Sequence, residues 1–304
     1  MRRMGSAAGA AGSAAGVVLA GGRSSRMGTP KAWLEWHGST FLYRAAAVVG
    51  RAVRGPVVVV AAPGQELPPL PPGVVVAEDP VEGRGPLQGL AAGLAAVADR
   101  AETAFVCSTD MPLLHPAFVR RVLRELHDTG AEAVWPVAGG FRQPLAAAYR
   151  TSLAGRVADL LARGESRLGM LAEHCAVAWP DDARLLADPA LAEHDPELVS
   201  VLNVNTPEDY AAVRERPAPR VTIERLDESA RVTVERLGES ARDAGRRWRV
   251  VRAATLGAAA AAIGLPPYGP AGVTLNGERI AFDERLPLVA GDAVSFRPPE
   301  AAAG

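Results

Sequence analysis

Short, uninterrupted apolar runs punctuate the first two thirds of the chain: Val17, Val18 and Leu19; four valines at 57–60; three valines at 74–76; and Phe105, Val106 and Cys107 leading into Ser108. The runs are rich in β-branched residues and lack polar alternation, and read as four strands, the first two with the pattern of strands buried in a parallel sheet. Between them lie helical signals. Ser39 and Thr40 can cap a helix carrying Phe41, Leu42 and Val48, and Gly85-Pro86-Leu87-Gln88-Gly89-Leu90 opens a helix running through Ala98. The proline-rich stretch 63–72 reads as a surface loop. Strands alternating with helices predict an α/β domain: a Rossmann-like, mostly parallel sheet with helices on both faces and right-handed crossovers.

Past residue 214 the pattern changes. Residues 215–220 form a stiff polar linker with two prolines. An internal repeat follows, in which 221–231 (VTIERLDESAR) recurs at once as 232–242 (VTVERLGESAR). Two copies are too few for a solenoid, so a local duplication of one strand-turn segment is expected. A strand at 248–251, an alanine-rich helix at 255–263, a hairpin signal at Leu275-Asn276-Gly277-Glu278 and an apolar segment at 287–296 complete a second, smaller α+β unit. At 304 residues the chain is about twice a typical domain, which fits this division. The expected organisation is a disordered extension at 1–14, a first domain at 15–214, a linker at 215–220 and a second domain at 221–304.

Bulk properties exclude several classes. A net charge of −1 leaves no excess of cations to neutralise a nucleic-acid backbone. Cys107 and Cys175 are too few for a disulfide framework and have no zinc spacing, so a reducing cytoplasm is the simplest setting. No stretch approaches the ~18 consecutive apolar residues of a membrane span. Arg2 and Arg3 before an Ala/Gly/Ser run imitate a secretion signal, but Ala and Gly make a poor apolar centre.

The chemistry concentrates after the first strand. Leu19, Ala20, Gly21 and Gly22 let a ligand lie against backbone N–H groups in an anion-binding concavity. Arg23, Arg26 and Lys31 add cations, the combination that a triphosphate needs. Lys31 is the only lysine in a chain of 33 basic residues. Its retention points to a site that needs a compact, mobile point charge rather than a planar fork. A Walker loop is excluded because Thr29-Pro30 follows Gly28, and a dinucleotide fingerprint because Gly21-Gly22-Arg23 breaks it. Ligands in parallel sheets bind beyond the carboxyl ends of the strands. That rule brings the glycine loop together with Asp79 after the third strand and Asp110 after the fourth. Asp110 precedes Met111-Pro112 and is not a helix cap; as a strand-end carboxylate it suits Mg²⁺, which takes hard oxygen donors and bridges to phosphates.

Residues 19–31 resemble the signature L-A-G-G-x-S-x-R-M-G-x-x-K of molybdenum cofactor guanylyltransferases, the MobA family of small nucleotidyltransferases. Further segments are similar in order. Cys107 to Pro112 matches a C-x-x-D-x-P strand end that carries the metal. Gly85-Pro86-Leu87-Gln88-Gly89 resembles G-P-L-A-G, and Arg142-Gln143-Pro144-Leu145 looks like R-x-Q-P-L on the acceptor side. Asn203 to Asp209 is close to N-x-N-T-P-E-D, where Thr206 and Asp209 also read as an imperfect capping box. The likeness covers about 15–214. It implies a cytoplasmic, Mg²⁺-dependent transfer of GMP from GTP to molybdopterin, with release of pyrophosphate. Arg26, Lys31 and Asp110 would be catalytic and Asp110 the metal ligand. Leu19, Ala20, Gly21, Gly22, Lys31, Asp79 and Asp110 would hold the nucleotide, and Arg142, Gln143 and Asn205 the acceptor. Other molybdenum cofactor enzymes or apo-molybdoenzyme chaperones would be its protein partners. The C-terminal order resembles the ubiquitin-like β-grasp sulfur carriers of the MoaD and ThiS type, although the chain ends Ala303-Gly304 where carriers end Gly-Gly. Two alternatives stay open: a cytidylyltransferase on the same pterin or another small nucleotidyltransferase, and a non-catalytic carrier or interaction protein acting through the C-terminal unit.

Overall fold

The computed structural model describes residues 13–21, 28–79, 85–225, 248–265 and 272–297. Seven strands form the main sheet: β1 (Ala14–Leu19), β2 (Val57–Ala61), β3 (Val75–Glu78), β4 (Thr103–Ser108), β5 (Ala133–Val134), β6 (Ala146–Arg150) and β7 (Val177–Ala178). Their spatial order is β7-β5-β6-β4-β1-β2-β3. β1 is central and runs parallel to β2 and β4, whereas β6 is antiparallel to both β4 and β5. β6 escapes the sequence pattern because Ala146, Ala147 and Ala148 carry no β-branched signature; their small side chains are fully buried between two strands.

Alternation along β1 divides the core. Val17 and Leu19 face α2 (Pro86–Val97) and α4 (Leu153–Ala162), through Leu87, Leu90, Leu94 and Val157. Val18 faces the other layer, built by α1 (Phe41–Gly50) and α3 (Pro116–Thr129) with Leu42, Val49, Phe118 and Val122. This accounts for a first strand apolar at every position. Thr40 caps α1 as the sequence predicts, its hydroxyl accepting from Tyr43 N at 3.2 Å. Cys107 is fully buried in this core, and burial raises its thiol pKa far above the usual range, so it is a packing residue.

Two helical glycines separate close packing from mere helix propensity. A Cβ on Gly93 of α2 would collide with Cγ1 of Val17 and sit 3.3 Å from Val60 Cγ2, whereas one on Gly155 of α4 would meet nothing within 4 Å. Both collision partners are stiff β-branched side chains. Gly93→Ala is therefore expected to destabilise by about 1–3 kcal/mol of overpacking, less the ~1 kcal/mol that alanine returns to a helix. Gly155→Ala should stabilise by up to about 1 kcal/mol. Opposite shifts in the thermal unfolding midpoint check the pair, and equal shifts would contradict it.

A further helix, α5 (Asp182–Leu186), precedes α6 (Pro189–His194), and α7 (Pro207–Glu215) ends the first unit where the linker is expected. A second sheet then forms from β8 (Arg220–Arg225), β9 (Trp248–Arg252), β10 (Gly272–Leu275), β11 (Glu278–Ile280) and β12 (Ala293–Arg297), in the order β9-β8-β12-β10-β11. β8 and β12, the first and last strands of this second sheet in chain order, lie side by side and parallel. α8 (Leu256–Ala262) packs Leu256 and Ala259 against Ile223, Val273, Val294 and Phe296. The hairpin turn is where the sequence places it, with Asn276 at φ 53° and Gly277 at φ 85°, the two positive values of a type I′ turn. Residues 287–292 of the apolar segment form a turn pinned by Asp292, whose carboxylate accepts from Val289 N at 2.8 Å and Asn276 Nδ2 at 2.9 Å. Of the internal repeat, only 221–225 falls within the described residues; most of the expected N-terminal extension and the Ala-Gly terminus lie outside them. Among the described residues, no helix is long and apolar enough to cross a membrane.

Candidate active site

A cleft of about 530 Å³ opens beyond the carboxyl ends of β1 and β4. The two strand ends are tied together at Thr109, whose N–H and hydroxyl both donate to Leu19 O, at 3.3 and 2.8 Å. The next residue is Asp110, whose main-chain oxygen accepts from Val204 N at 2.9 Å. Main-chain bonds on both sides thus aim the Asp110 side chain into the cleft without using its carboxylate.

That carboxylate is the centre of a short polar chain. Ser108 donates its hydroxyl to Oδ1 at 2.5 Å, and Lys31 Nζ donates to Oδ2 at 2.8 Å. The same ammonium donates to Asn205 Oδ1 at 2.7 Å. Lys31 opens a single 3₁₀ turn (Lys31–Trp33), and Leu34 N closes on Lys31 O at 3.2 Å. Asn205 is held from the other side: its N–H and that of Thr206 both donate to Asp209 Oδ2 at 2.9 Å, while Thr206 Oγ1 accepts from Asp209 N. The capping box expected at the start of α7 is complete, and it fixes the side chain that meets Lys31. The N–H of Asn205 above all, then that of Thr206 and the Lys31 charge, hold the Asp209 carboxyl below the usual carboxylate range.

Leu19, Ala20 and Gly21 line the cleft beside this chain. A Cβ on Gly21 would meet Ala62 N at 3.7 Å, an ordinary contact, so protein packing alone does not demand a glycine there. Gln143 and Pro144 also line the cleft. Leu19, Ala20, Gly21, Lys31, Asp110, Gln143 and Asn205, named from the sequence, therefore share one cavity. Arg142 does not join them. It lies on the exposed Phe141–Arg142 strand with its guanidinium 4.6 Å over the Trp179 ring, and strand alternation sends neighbours 142 and 143 to opposite sides. Asp79 follows β3 at the sheet edge, with its N–H on Ala61 O at 2.8 Å, and is not among the residues lining the cleft. Gly22 and Arg26 lie outside the described residues.

Two contributors are invisible in the sequence pattern. Gln65, inside the proline-rich loop, donates Nε2 to Ala20 O at 3.0 Å and accepts from Ala62 N at 3.0 Å, bracing the glycine loop from behind. Ser108 is hidden because a strand-terminal serine is unremarkable until Asp110 is placed two residues on. Among the described residues there is no group of three or more His, Cys, Asp or Glu able to enclose a metal.

The chain matches the family model of the MobA-like NTP transferase domain over residues 16–177. It is 45% identical over 164 residues to a probable molybdenum cofactor guanylyltransferase of Mycobacterium marinum, covering 53% of this chain and 80% of that protein. A protein of the same description from Mycobacterium tuberculosis is 43% identical over 162 residues, covering 52% and 79%. In fold, the chain is similar to the crystal structure of molybdopterin-guanine dinucleotide biosynthesis protein A from Archaeoglobus fulgidus, with a TM-score of 0.52, 22% identity, and coverage of 66% of this chain and 97% of that one. The matched family segment contains the glycine loop, Lys31, Asp110 and Gln143, and it ends before the second sheet begins. On this combination of segment and site, the chain belongs to the MobA-like NTP transferase family and is a nucleotidyltransferase.

Proposed function

We propose that the chain transfers GMP from GTP to molybdopterin, forming the guanine dinucleotide of the molybdenum cofactor and pyrophosphate. The observation that carries this reading is the convergence of Lys31, Asp110 and Asn205 at the mouth of the glycine loop. The descriptions of the mycobacterial relatives support the choice of nucleotide and pterin.

In this reaction a phosphate oxygen of the pterin attacks the α-phosphorus of GTP in line; a P–O bond to the acceptor forms as the bond to the β-phosphate oxygen breaks, and pyrophosphate leaves with that electron pair. The protein contributes position and charge. Backbone groups of 19–21 seat the nucleotide, with Gly21 leaving the space that a side chain would fill. The Lys31 ammonium, held between Asp110 and Asn205, is a mobile cation that can exchange these partners for phosphate oxygens. Gln143 and Asn205 face the side from which the acceptor enters, and Asp79, at the end of β3, is the candidate acceptor for guanine N1–H and N2–H. Arg26, which follows the Gly21-Gly22 pair in the sequence, would add charge on the triphosphate.

A divalent cation, Mg²⁺, fits the donor set: one strand-end carboxylate, Asp110, facing the cleft. Mg²⁺ commonly takes one or two protein carboxylates and completes its shell with substrate phosphates and water, so a larger acidic cluster is not required. When bound there it supplies Lewis-acid stabilisation of charge on the transferring phosphate.

Turnover of a panel of nucleoside triphosphates with molybdopterin and Mg²⁺ tests the reading. GTP consumption coupled to guanine dinucleotide formation is expected. A preference for CTP would replace the proposal with the cytidylyltransferase alternative, and no turnover with any nucleotide on the pterin would reject it.

A further inference from the structure

The second sheet does not simply hang beside the first domain. It is clamped to the face of α1 and to the start of α3: Tyr43 donates its hydroxyl to Asp283, Arg51 donates to Pro287 O at 3.1 Å and pairs with Asp292, and the His115 imidazole bonds Ala290 O at 3.0 Å. In the middle of this contact lies Arg44 on α1, only 2% exposed. Its Nε donates to Pro112 O at 3.1 Å and its Nη1 to Ala254 O at 3.1 Å, while its guanidinium stacks 4.4 Å over the Trp36 ring. Pro112 follows Asp110 by two residues, inside the turn that Leu114 N closes on Met111 O at 3.2 Å. Ala254 belongs to the second unit, just before the cap of α8.

Packing runs the same way. Ala254 is buried in one apolar cluster with Leu34, Trp36 and Val204. Leu34 closes the 3₁₀ turn that carries Lys31, and Val204 both precedes Asn205 and donates to Asp110 O. One residue of the second unit thus shares an apolar cluster with the neighbours of Lys31 and Asn205 and is joined through Arg44 to Pro112, two residues after Asp110.

We infer that the C-terminal unit is an internal buttress of the transferase centre, and that Arg44 is the positioning residue that passes its docking to the Asp110 turn. This rests on the reading of Lys31, Asp110 and Asn205 as the reacting centre. The fork geometry explains the residue type: a guanidinium spans two carbonyls from a fixed plane, and an ammonium on a lysine stem does not. A misplacement of a reacting group by about 1 Å costs ~10²-fold in rate, so the placement of the segment after Asp110 matters.

The test uses the full chain, with hydrogen exchange read peptide by peptide and kcat read with whichever triphosphate the protein turns over. Arg51→Met, and Arg51→Met with Tyr43→Phe, should raise exchange at 283–292 and, if the buttress operates, also at 109–114, with kcat falling about 10-fold and the nucleotide KM unchanged. Arg44→Lys should raise exchange at 109–114 and lower kcat similarly. Adding Arg51→Met to it should lower kcat little further, because the route is already cut. Loosening of 283–292 with 109–114 and kcat unaltered would overturn the inference, as would losses that multiply in the combined variant. Unchanged protection at 283–292 in both clamp variants would overturn it too, since the named contacts would not be what holds the unit. Exchange is measured without nucleotide, so this outcome is independent of whether GTP is the substrate. If Arg44→Lys fails to fold, the clamp variants still decide.

Discussion

Lys31→Ala is expected to lower kcat/KM for the nucleotide by about 10²–10³-fold, the range for removing one preorganised electrostatic contact, while leaving the melting temperature almost unchanged. Both halves follow from where the ammonium sits. Nζ lies within hydrogen-bond distance of Asp110 and Asn205 in the cleft, and its side chain keeps 22% of its surface exposed. Packing of the turn is carried by Ala32 and Leu34, which are buried. A partly exposed ion pair contributes about 0–1 kcal/mol, too little to move unfolding far. Lys31→Arg should recover only part of the rate, because a rigid fork cannot replace a point charge that swaps carboxylate and amide partners for phosphate oxygens. Steady-state kinetics and thermal melts on the three proteins check this. An arginine variant as fast as the parent would refute the argument from the solitary lysine, and an alanine variant that melts early but turns over normally would make Lys31 structural.

How much of this was legible in the sequence differs by kind of signal. Strands β1, β2 and β4 declared themselves because a buried parallel strand is apolar at every position, and Asp110 became conspicuous by standing directly after one of them. The Asn276-Gly277 turn and the Thr206 cap were readable because each is a local device whose residues satisfy backbone groups within four positions. Long-range bonds were not readable. Gln65 bracing Ala20 across 45 residues, and Arg44 joining Pro112 to Ala254, depend on side chains meeting only after the sheets have assembled. Arg44 in particular looks like a solvated helix position by composition and is almost completely buried. The placement of Asp79 shows the converse limit. Strand-end logic puts it on the right edge of the sheet, but edge position does not fix whether a side chain lines the cleft. With Asp79 outside the cleft lining, the charge that pairs with Asp110 is the Lys31 cation.

The last prediction turns on that neighbour. Asp110→Ala and Asp110→Asn are both expected to lose at least ~10²-fold in metal-dependent turnover, because the carboxylate is the one charged oxygen donor that the described cleft offers to a cation facing the triphosphate. The fold should tolerate either change. The turn is held by Thr109 bonding Leu19 O and by Val204 N bonding Asp110 O, contacts that use no carboxylate atom. What disappears with the carboxylate is its bond from Ser108 and its pairing with Lys31, and Lys31 keeps Asn205. Net destabilisation should stay near the ~1 kcal/mol of a partly exposed pair. Asparagine separates charge from shape, since its one acceptor oxygen can keep the bond from Lys31 while its amide NH2 donates to the Ser108 hydroxyl, which can accept, but it is a poor ligand for a hard cation. If Asp110 binds the metal, Asp110→Asn should fall with Asp110→Ala and should need a higher Mg²⁺ concentration for half-maximal turnover. If Asp110 only orders its hydrogen-bond partners, Asp110→Asn should keep near-parental rates and Mg²⁺ dependence while Asp110→Ala melts earlier. Melting temperature and Mg²⁺-dependent GTP consumption, measured on the same preparations, distinguish the two. An active asparagine variant with parental Mg²⁺ dependence would refute the metal assignment.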